Sequence, residues 1–419
     1  MADTLFVQFY HRTSSHWFDL GNGFSDTWQL CGTRGDFFWV DLDMDPDTWY
    51  DPAAYKVIPL PLEKGRVYVS ASYVNHLYQA LVWARAYPNI EFVVGGPVAA
   101  ESDGPDDQWN SVHFLVEGEL PKNLHPTGQS MESILGVEEF SQDWHLELPE
   151  ELPGNGRIYF SYTLENQCYW KKCPFCSIGR HARAHHRKRQ DLALEFKHLS
   201  HAGHKIVRLN TGSMVPEQIR AILPRLPVRS DMEYRFFMRA ARAETLALES
   251  VASACGDNIP DCTLGFGIEF PSDRMWKYLN KGTRMEEVLT CFDLCRELGF
   301  KVNANMILGW NILTPEDLGD LEGFMDRLDG ASVTTLQLRW LFAHPHTPIH
   351  GNYAGGEAPL RLGPFNCGFH VKVDEKQRDF NLRAGEIIQE GCQRKGIRLE
   401  GFGNLDHLKA DYRSEILGG

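Results

Sequence analysis

Short apolar runs alternate with longer stretches of helical spacing along the chain, and that rhythm predicts an α/β protein. In the N-terminal part, Leu5–Phe9 and Phe37–Val40 read as short strands. Arg66–Ser72 reads as a third, followed by a helix over Asn75–Ala86 with Leu77, Leu81 and Ala84 on one face. Ile90–Val94 is a further strand that ends in a Gly95-Gly96-Pro97 turn, and Ser111–Gly118 reads as one more. Strands alternating with helices predict a Rossmann-like, doubly wound parallel sheet, which binds ligands at the carboxyl ends of its strands.

A stretch rich in proline, glycine and acid, over about 126–156, reads as a linker. Beyond it a second series predicts strands at Ile158–Thr163, Ile206–Asn210, Tyr234–Met238, Thr263–Glu269, Val302–Leu308 and Thr335–Leu341. Six βα repeats predict a (βα)6 partial TIM barrel. Two of its helices are well punctuated. Thr283-Arg-Met-Glu286 reads as a capping box with Gly299 as the stop, and Thr314-Pro315-Glu316-Asp317 reads as a cap, a first-turn proline and two acids. The last ~75 residues are less regular, with one helix over Arg378–Cys392. The expected organisation is therefore 1–125 Rossmann-like domain, 126–156 linker, 157–345 barrel and 346–419 small C-terminal cap.

Composition narrows the class. At 419 residues, 43% hydrophobic and 12% aromatic, the chain has material for more than one folded core. The net charge of −14 argues against nucleic acid as the main partner. No apolar run approaches the ~18 residues of a membrane span, and the N-terminus lacks the pattern of a signal peptide. Ten cysteines, most of them scattered, fit a reduced cytoplasm better than a disulfide framework.

Three of these cysteines are not scattered. Cys168-Tyr-Trp-Lys-Lys-Cys173-Pro-Phe-Cys176 crowds three thiols into one loop after the first strand of the second series. Thiolate is a soft ligand suited to iron–sulfur clusters and to zinc, and three ligands leave a fourth position open for chemistry. A structural zinc site completed by His181 or a more distant histidine is the alternative. Cys291 and Cys295, four apart on an apolar helix face, read as core, as do Cys255 and Cys262. Cys367, in an irregular Pro-Phe-Asn-Cys-Gly segment, is a candidate catalytic thiol. The basic run Arg180–Arg189 reads as a solvated face, an anion site, or a docking face for an acidic electron donor.

Cys168-x4-Cys173-x-Phe175-Cys176 resembles the cluster loop of the radical S-adenosylmethionine (SAM) superfamily. The four-residue first spacing is similar to the branch with an N-terminal cobalamin-binding domain. Gly265-Phe-Gly-Ile-Glu269, Leu279-Asn-Lys-Gly282 and Met306-Ile-Leu-Gly309-Trp310 look like its fourth and fifth strand region. Gly95-Gly96-Pro97 and Val116–Glu119 look like its cobalamin-type domain. The resemblance implies that Cys168, Cys173 and Cys176 hold three irons of a [4Fe-4S] cluster and that SAM occupies the fourth. Phe175 would pack near the adenine, and Arg239 would pair with the SAM carboxylate. Glu269 would contact the ribose or amino group, Asn210 would stand at the second strand end, and Gly95 and Gly96 would face cobalamin. It further implies reductive SAM cleavage, C-methylation where cobalamin is bound or direct hydrogen abstraction where it is not, flavodoxin or ferredoxin as reductant, and a small-molecule or peptide substrate. Two departures stand out: Asn210-Thr-Gly212 replaces the Gly-Gly-Glu turn of many members, and no Asp-x-His-x-x-Gly occurs.

Overall fold

The computed structural model describes residues 4–13, 17–19, 36–42, 54–71, 74–95, 121–126, 157–165, 168–176, 178, 205–210, 212–343, 347–349, 369–371 and 373–401. The chain divides into two compact units: 1–165 with 181–209 and 362–367, and 166–180 with 210–361 and 368–419.

In the first unit, β1 (Thr4–Thr13), β3 (Asp36–Asp41), β4 (Gly65–Ser70), β5 (Ile90–Gly95) and β6 (Leu124–Pro126) form a parallel sheet in the order β3-β1-β4-β5-β6. A short β2 (Trp17–Asp19) pairs antiparallel with the end of β1 and parallel with β7 (Arg157–Glu165). Helix α1 (Val74–Ala86) lays Leu77, Leu81 and Ala84 into the same core as Val7, Phe9, Val67, Val69 and Phe92. Trp83 is fully buried, and its ring stacks between Phe9 at 5.8 Å and Phe92 at 6.5 Å. Its indole N–H donates to the Ile58 carbonyl (2.8 Å), so burying the ring leaves no polar atom unpaired. This is the parallel, helix-covered sheet that the pattern predicts. Gly95 is buried at the end of β5 in register with Ser70, and its carbonyl accepts from the Ala71 N–H (2.7 Å). Gly96, the strand expected over 111–118 and Val116–Glu119 lie outside the described residues.

All six strands expected in the second series are present: β7, β8 (Lys205–Asn210), β9 (Met232–Met238), β10 (Cys262–Glu269), β11 (Lys301–Leu308) and β12 (Val333–Trp340). Within the second unit β9-β10-β11-β12 run parallel and in order. The connections are helical: α2 (Pro216–Ile222) precedes β9, α3 (Arg242–Cys255) joins β9 to β10, α4 (Asp273–Tyr278) and α5 (Met285–Glu297) join β10 to β11, and α6 (Pro315–Arg327) joins β11 to β12. Two short strands, β13 (Phe342–Ala343) and β14 (Phe369–His370), pair antiparallel.

The C-terminal part departs from the expected separate cap. Helix α7 (Glu375–Lys395) is followed by β15 (Arg398–Gly401), which pairs parallel with β12 and so extends the second unit's own sheet. The sequence hid this because Arg-Leu-Glu-Gly is too short and polar to announce a strand.

The capping of α5 also shifts by one residue. Arg284, not Thr283, stands at the N-cap, and its N–H donates to the Glu287 carboxylate (3.1 Å). The Thr283 hydroxyl is drawn away to the Ala240 carbonyl. Gly299 ends the helix with φ 79°, and Thr314 caps α6, both as expected. Strand alternation gives the sheet two different faces. Phe266 on β10 packs against Phe292 of α5, which meets Phe324 of α6, so Leu264, Phe266 and Ile268 face helices. Their neighbours Thr263, Gly265, Gly267 and Glu269 point to the opposite face.

Candidate functional site

The cysteine loop occupies residues 168–176 with all three thiols partly buried. Lys171 at its apex has φ 52°, a left-handed conformation that costs a non-glycine residue strain and is kept where surrounding structure enforces it. Three contacts do the enforcing. Gly212 abuts Cys168 so closely that a Cβ there would lie 2.7 Å from the Cys168 backbone nitrogen. Trp170 donates its indole N–H to the Asn280 carbonyl (2.6 Å) and lies over Gly282, where a Cβ would meet the ring at 2.4 Å. On the guanidinium side, Arg239 stacks 3.6 Å from the Trp170 ring centroid.

Arg239 is the hub of this clamp. One Nη donates to the Tyr169 hydroxyl (3.0 Å), and the other donates to the carbonyls of Lys281 and Gly282 (2.8 Å each). Its charge pairs at 3.6 Å with buried Glu244, which also accepts from the Tyr169 hydroxyl. Only Nε is left, buried and without a hydrogen-bond partner. Asn210, expected near SAM, is wholly buried and spends its amide on the backbone. Phe237 N–H donates to its Oδ1 (2.7 Å), while Nδ2 donates to the carbonyls of Phe237 (2.9 Å) and Gly212. It therefore fixes the Gly212 turn that supports Cys168.

Glu269 ends β10 with φ 61° and a register shift beside it. Its carboxylate accepts from the Lys281 ammonium at 2.9 Å, and both side chains are about nine-tenths buried. Gly267 makes room for this pair, since a Cβ there would lie 2.4 Å from the Glu269 carboxylate and 3.0 Å from the ammonium. Burial alone would lower the Lys281 pKa, but Glu269, Cys173 and Cys176 outweigh it and hold the pKa above its ordinary value. Burial pushes the Cys173 thiol up and Lys281 opposes the push, while the Cys176 thiol is raised to about 11, chiefly by burial. A metal centre bound there would supply the positive charge that favours the thiolate form.

Phe175 meets Trp310 edge-on at 6.0 Å. Trp310 follows β11, and Asn381 of α7 pins that turn: the N–H groups of Gly309 and Trp310 donate to its Oδ1 (2.7 and 3.1 Å), and its Nδ2 returns a bond to the Trp310 carbonyl (2.9 Å). Gln377 holds Leu313 in the same reciprocal way. Trp170 is legible in the sequence as part of the cysteine loop and Lys281 as a charge able to pair with Glu269, and the structure forms that pair. Tyr169, Gln377 and Asn381 were not singled out. Cys291 and Cys295 are buried in the core as expected, and Cys392 joins them there. Cys367, His181 and the run 180–189 lie outside the described residues.

Three thiols within nine residues are a soft donor set that an iron–sulfur cluster or zinc would accept. Three ligands of one zinc ion must converge within about 2.3 Å of a common point, and among the described residues no three His, Cys, Asp or Glu side chains do so. The three cysteines are still close enough for Cys168 to raise both other thiols electrostatically.

No protein-family model matches the sequence, and no curated protein matches it. Solved structures do. The cobalamin-dependent SAM radical enzyme OxsB, determined with aqua-cobalamin and SAM, aligns at TM-score 0.56 and 12% identity over 94% of this chain; the chain spans 66% of that enzyme's length. The radical SAM methyltransferase TsrM from Kitasatospora setae, determined with cobalamin and a [4Fe-4S] cluster, aligns at TM-score 0.56 and 13% identity over 100% of this chain and 98% of its own. The chain thus has the fold of the cobalamin-dependent radical SAM enzymes.

Proposed function

We propose that this protein is a radical SAM enzyme that holds a [4Fe-4S] cluster on Cys168, Cys173 and Cys176 and cleaves SAM reductively there, as a cobalamin-dependent C-methyltransferase of secondary metabolism. The observation that carries the reading is the partly buried three-thiol loop, clamped by Trp170, Gly282 and Arg239 and faced by the Lys281–Glu269 pair, within a fold shared with OxsB and TsrM. The bound cluster would supply the electron that breaks a SAM C–S bond, and a corrinoid in the N-terminal unit would supply the methyl carrier.

The chain's own residues bind and orient. The thiols would anchor the cluster, and the Lys281–Glu269 pair stands beside Cys173 and Cys176. Arg239 Nε is a free donor for a carboxylate, and Phe175 offers an apolar ring edge. The Asp-x-His-x-x-Gly motif is absent, so no histidine of that motif would ligate cobalt. This favours, as a second reading, a corrinoid without such a ligand or direct use of the radical on substrate. The reading further expects a cytoplasmic setting, a flavodoxin or ferredoxin reductant and a small-molecule or peptide substrate; no helix among the described residues is long and apolar enough to cross a membrane.

Anaerobic reconstitution with iron, sulfide and hydroxocobalamin tests the reading. Iron near four per chain supports the cluster, and cobalt alongside it points to methyl transfer. Iron without cobalt favours direct radical chemistry, whereas zinc without sulfide sinks the proposal. Cys173→Ala should abolish SAM cleavage.

A further inference from the structure

One stretch of the second unit's sheet is finished unlike its surroundings. On β11, Asn303 and Asn305 sit two residues apart on the face opposite the helices, and the Oδ1 of each is buried without a hydrogen-bond partner. Asn303 is only 7% exposed. An unpaired buried polar group destabilises a fold, so a pair of them on adjacent positions of one face is not expected of a face that serves packing alone. Register places Asn303 between Gly265 and Thr335, and Asn305 between Gly267 and Gln337. Gly267 is the residue over which the Glu269–Lys281 pair lies, so Asn305 stands one strand, about 4.8 Å, from the backbone that carries the cluster-facing ion pair.

The two carboxylates beside the amides are already matched. Glu400 pairs with Arg398 at 2.7 Å and accepts from Gln337, and Glu269 holds Lys281. A ligand at the asparagines meets two amide edges, with the exposed Arg339, in register with Ile307, two residues further along the same face. Each carboxamide offers an acceptor and a donor in one plane, whichever way it is turned. Its complement is a planar N–H/C=O or N–H/N edge.

We propose that Asn303 and Asn305 are the recognition edge for a substrate carrying an amide, lactam or nucleobase-type edge, bound beside the cluster end of β10 and β11. This deepens the radical SAM reading and rests on it for the claim that the bound molecule is the substrate. The i, i+2 placement sets the two edges about 7 Å apart, which favours a substrate that spans both over one that touches a single amide.

The test uses reconstituted protein with SAM present and three probes, nicotinamide, uridine and benzoate, followed by ligand-observed NMR. Nicotinamide and uridine should bind and benzoate should not. Asn303→Leu and Asn305→Leu should each weaken nicotinamide and uridine about tenfold, the size of one well-made hydrogen-bonded edge. Both variants should melt at or above the wild type, because the amides they replace have no partner in the free protein. Asn305→Asp, which keeps the shape and removes the donor, should weaken both probes to a similar degree. Equal probe binding in wild type and variants, or benzoate binding as tightly as nicotinamide, overturns the assignment. So does a lowered melting temperature with probe binding intact, which would make the amides structural. Iron counted in the same samples separates the two claims. Amide-dependent binding in protein that takes up no cluster keeps the site and sinks the radical reading; a full cluster with no amide-dependent binding does the reverse.

Discussion

The two parallel sheets are built from similar strands but finished differently. In the N-terminal unit the buried positions of β1, β4 and β5 are Val, Leu, Ile and Phe, and the aromatic column Phe9–Trp83–Phe92 closes over them. In the second unit the helix-facing positions are equally apolar, but the other face of β10–β12 is mixed: Thr, Gly, Gly and Glu on β10, Asn303, Asn305 and Ile307 on β11, and Thr335, Gln337 and Arg339 on β12. A face finished with hydrocarbon gains stability from exclusion of water. A face finished with glycine and amides gives up that gain: its glycines admit the Phe237 ring and the Glu269–Lys281 pair, and its amides keep hydrogen-bonding capacity for something else. The first kind of face should fail through stability, the second through ligand and cluster.

Trp83→Ala breaks the first kind. Truncating a fully buried Trp costs about 3–5 kcal/mol, and its lost bond to Ile58 adds to this. Denaturant unfolding should show that loss, while molecules that remain folded should keep their iron content. If iron binding falls in parallel at temperatures where the protein is folded, the two regions are not functionally separate.

Asp317→Asn probes a buried polar site that is fully partnered. Asp317 is 1% exposed and accepts from Arg274 Nε (3.0 Å), the Ser272 hydroxyl (2.6 Å) and the Thr314 hydroxyl (2.8 Å). Burial would raise its pKa, but the bonds from Arg274, Ser272 and Thr314 outweigh it and the pKa is lowered. Its stabilisation is therefore complete above the unfolded carboxylate pKa near 4 and is lost as pH falls through the lower folded value. The substitution should cost about 3 kcal/mol at pH 7. The gap to wild type should hold down to about pH 4 and narrow below it. A gap independent of pH over that range would show that the carboxylate's charge contributes nothing.

These contrasts also explain what the sequence made legible. The cysteine loop was readable because its chemistry lies within nine residues, and the strands because apolar runs are local. Trp170 on Gly282, Asn381 on Trp310 and Asp317 on Arg274 join residues 43 to 112 positions apart along the chain, and no local pattern encodes them. Thr283 looked like a cap because an acid follows three residues later. Its hydroxyl instead found Ala240, and the cap moved on to Arg284. Asn303 and Asn305 were visible as strand residues, but their lack of partners exists only once the sheet is assembled.

Gly212→Ala strikes at the cysteine loop through a close backbone approach. The added methyl meets Cys168 at 2.7 Å, and backbone cannot step aside as a flexible side chain can. Overpacking of this kind costs about 1–3 kcal/mol, and the displaced Cys168 should cut cluster loading well below that of the wild type. Normal iron content in a stably folded Ala variant would mean that the Asn210–Gly212 turn does not set the position of Cys168.

Arg239→Lys is the mildest change and the sharpest on the clamp. It keeps the positive charge near Glu244 but removes the planar fork that reaches Tyr169, Lys281 and Gly282 at once, together with the flat surface stacked on Trp170. The expected loss of global stability is about 1–2 kcal/mol, because the core around the site is untouched. The cluster should feel more. With Trp170 no longer held between Arg239 and Gly282, the loop carrying Cys168 and Cys173 opens more often, so a chelator should strip iron from the reconstituted variant several-fold faster than from wild type at equal starting content. Equal stripping rates would show that the loop is held by Gly212 and the Trp170–Asn280 bond alone, and Arg239 would then retain only its free Nε as a functional group.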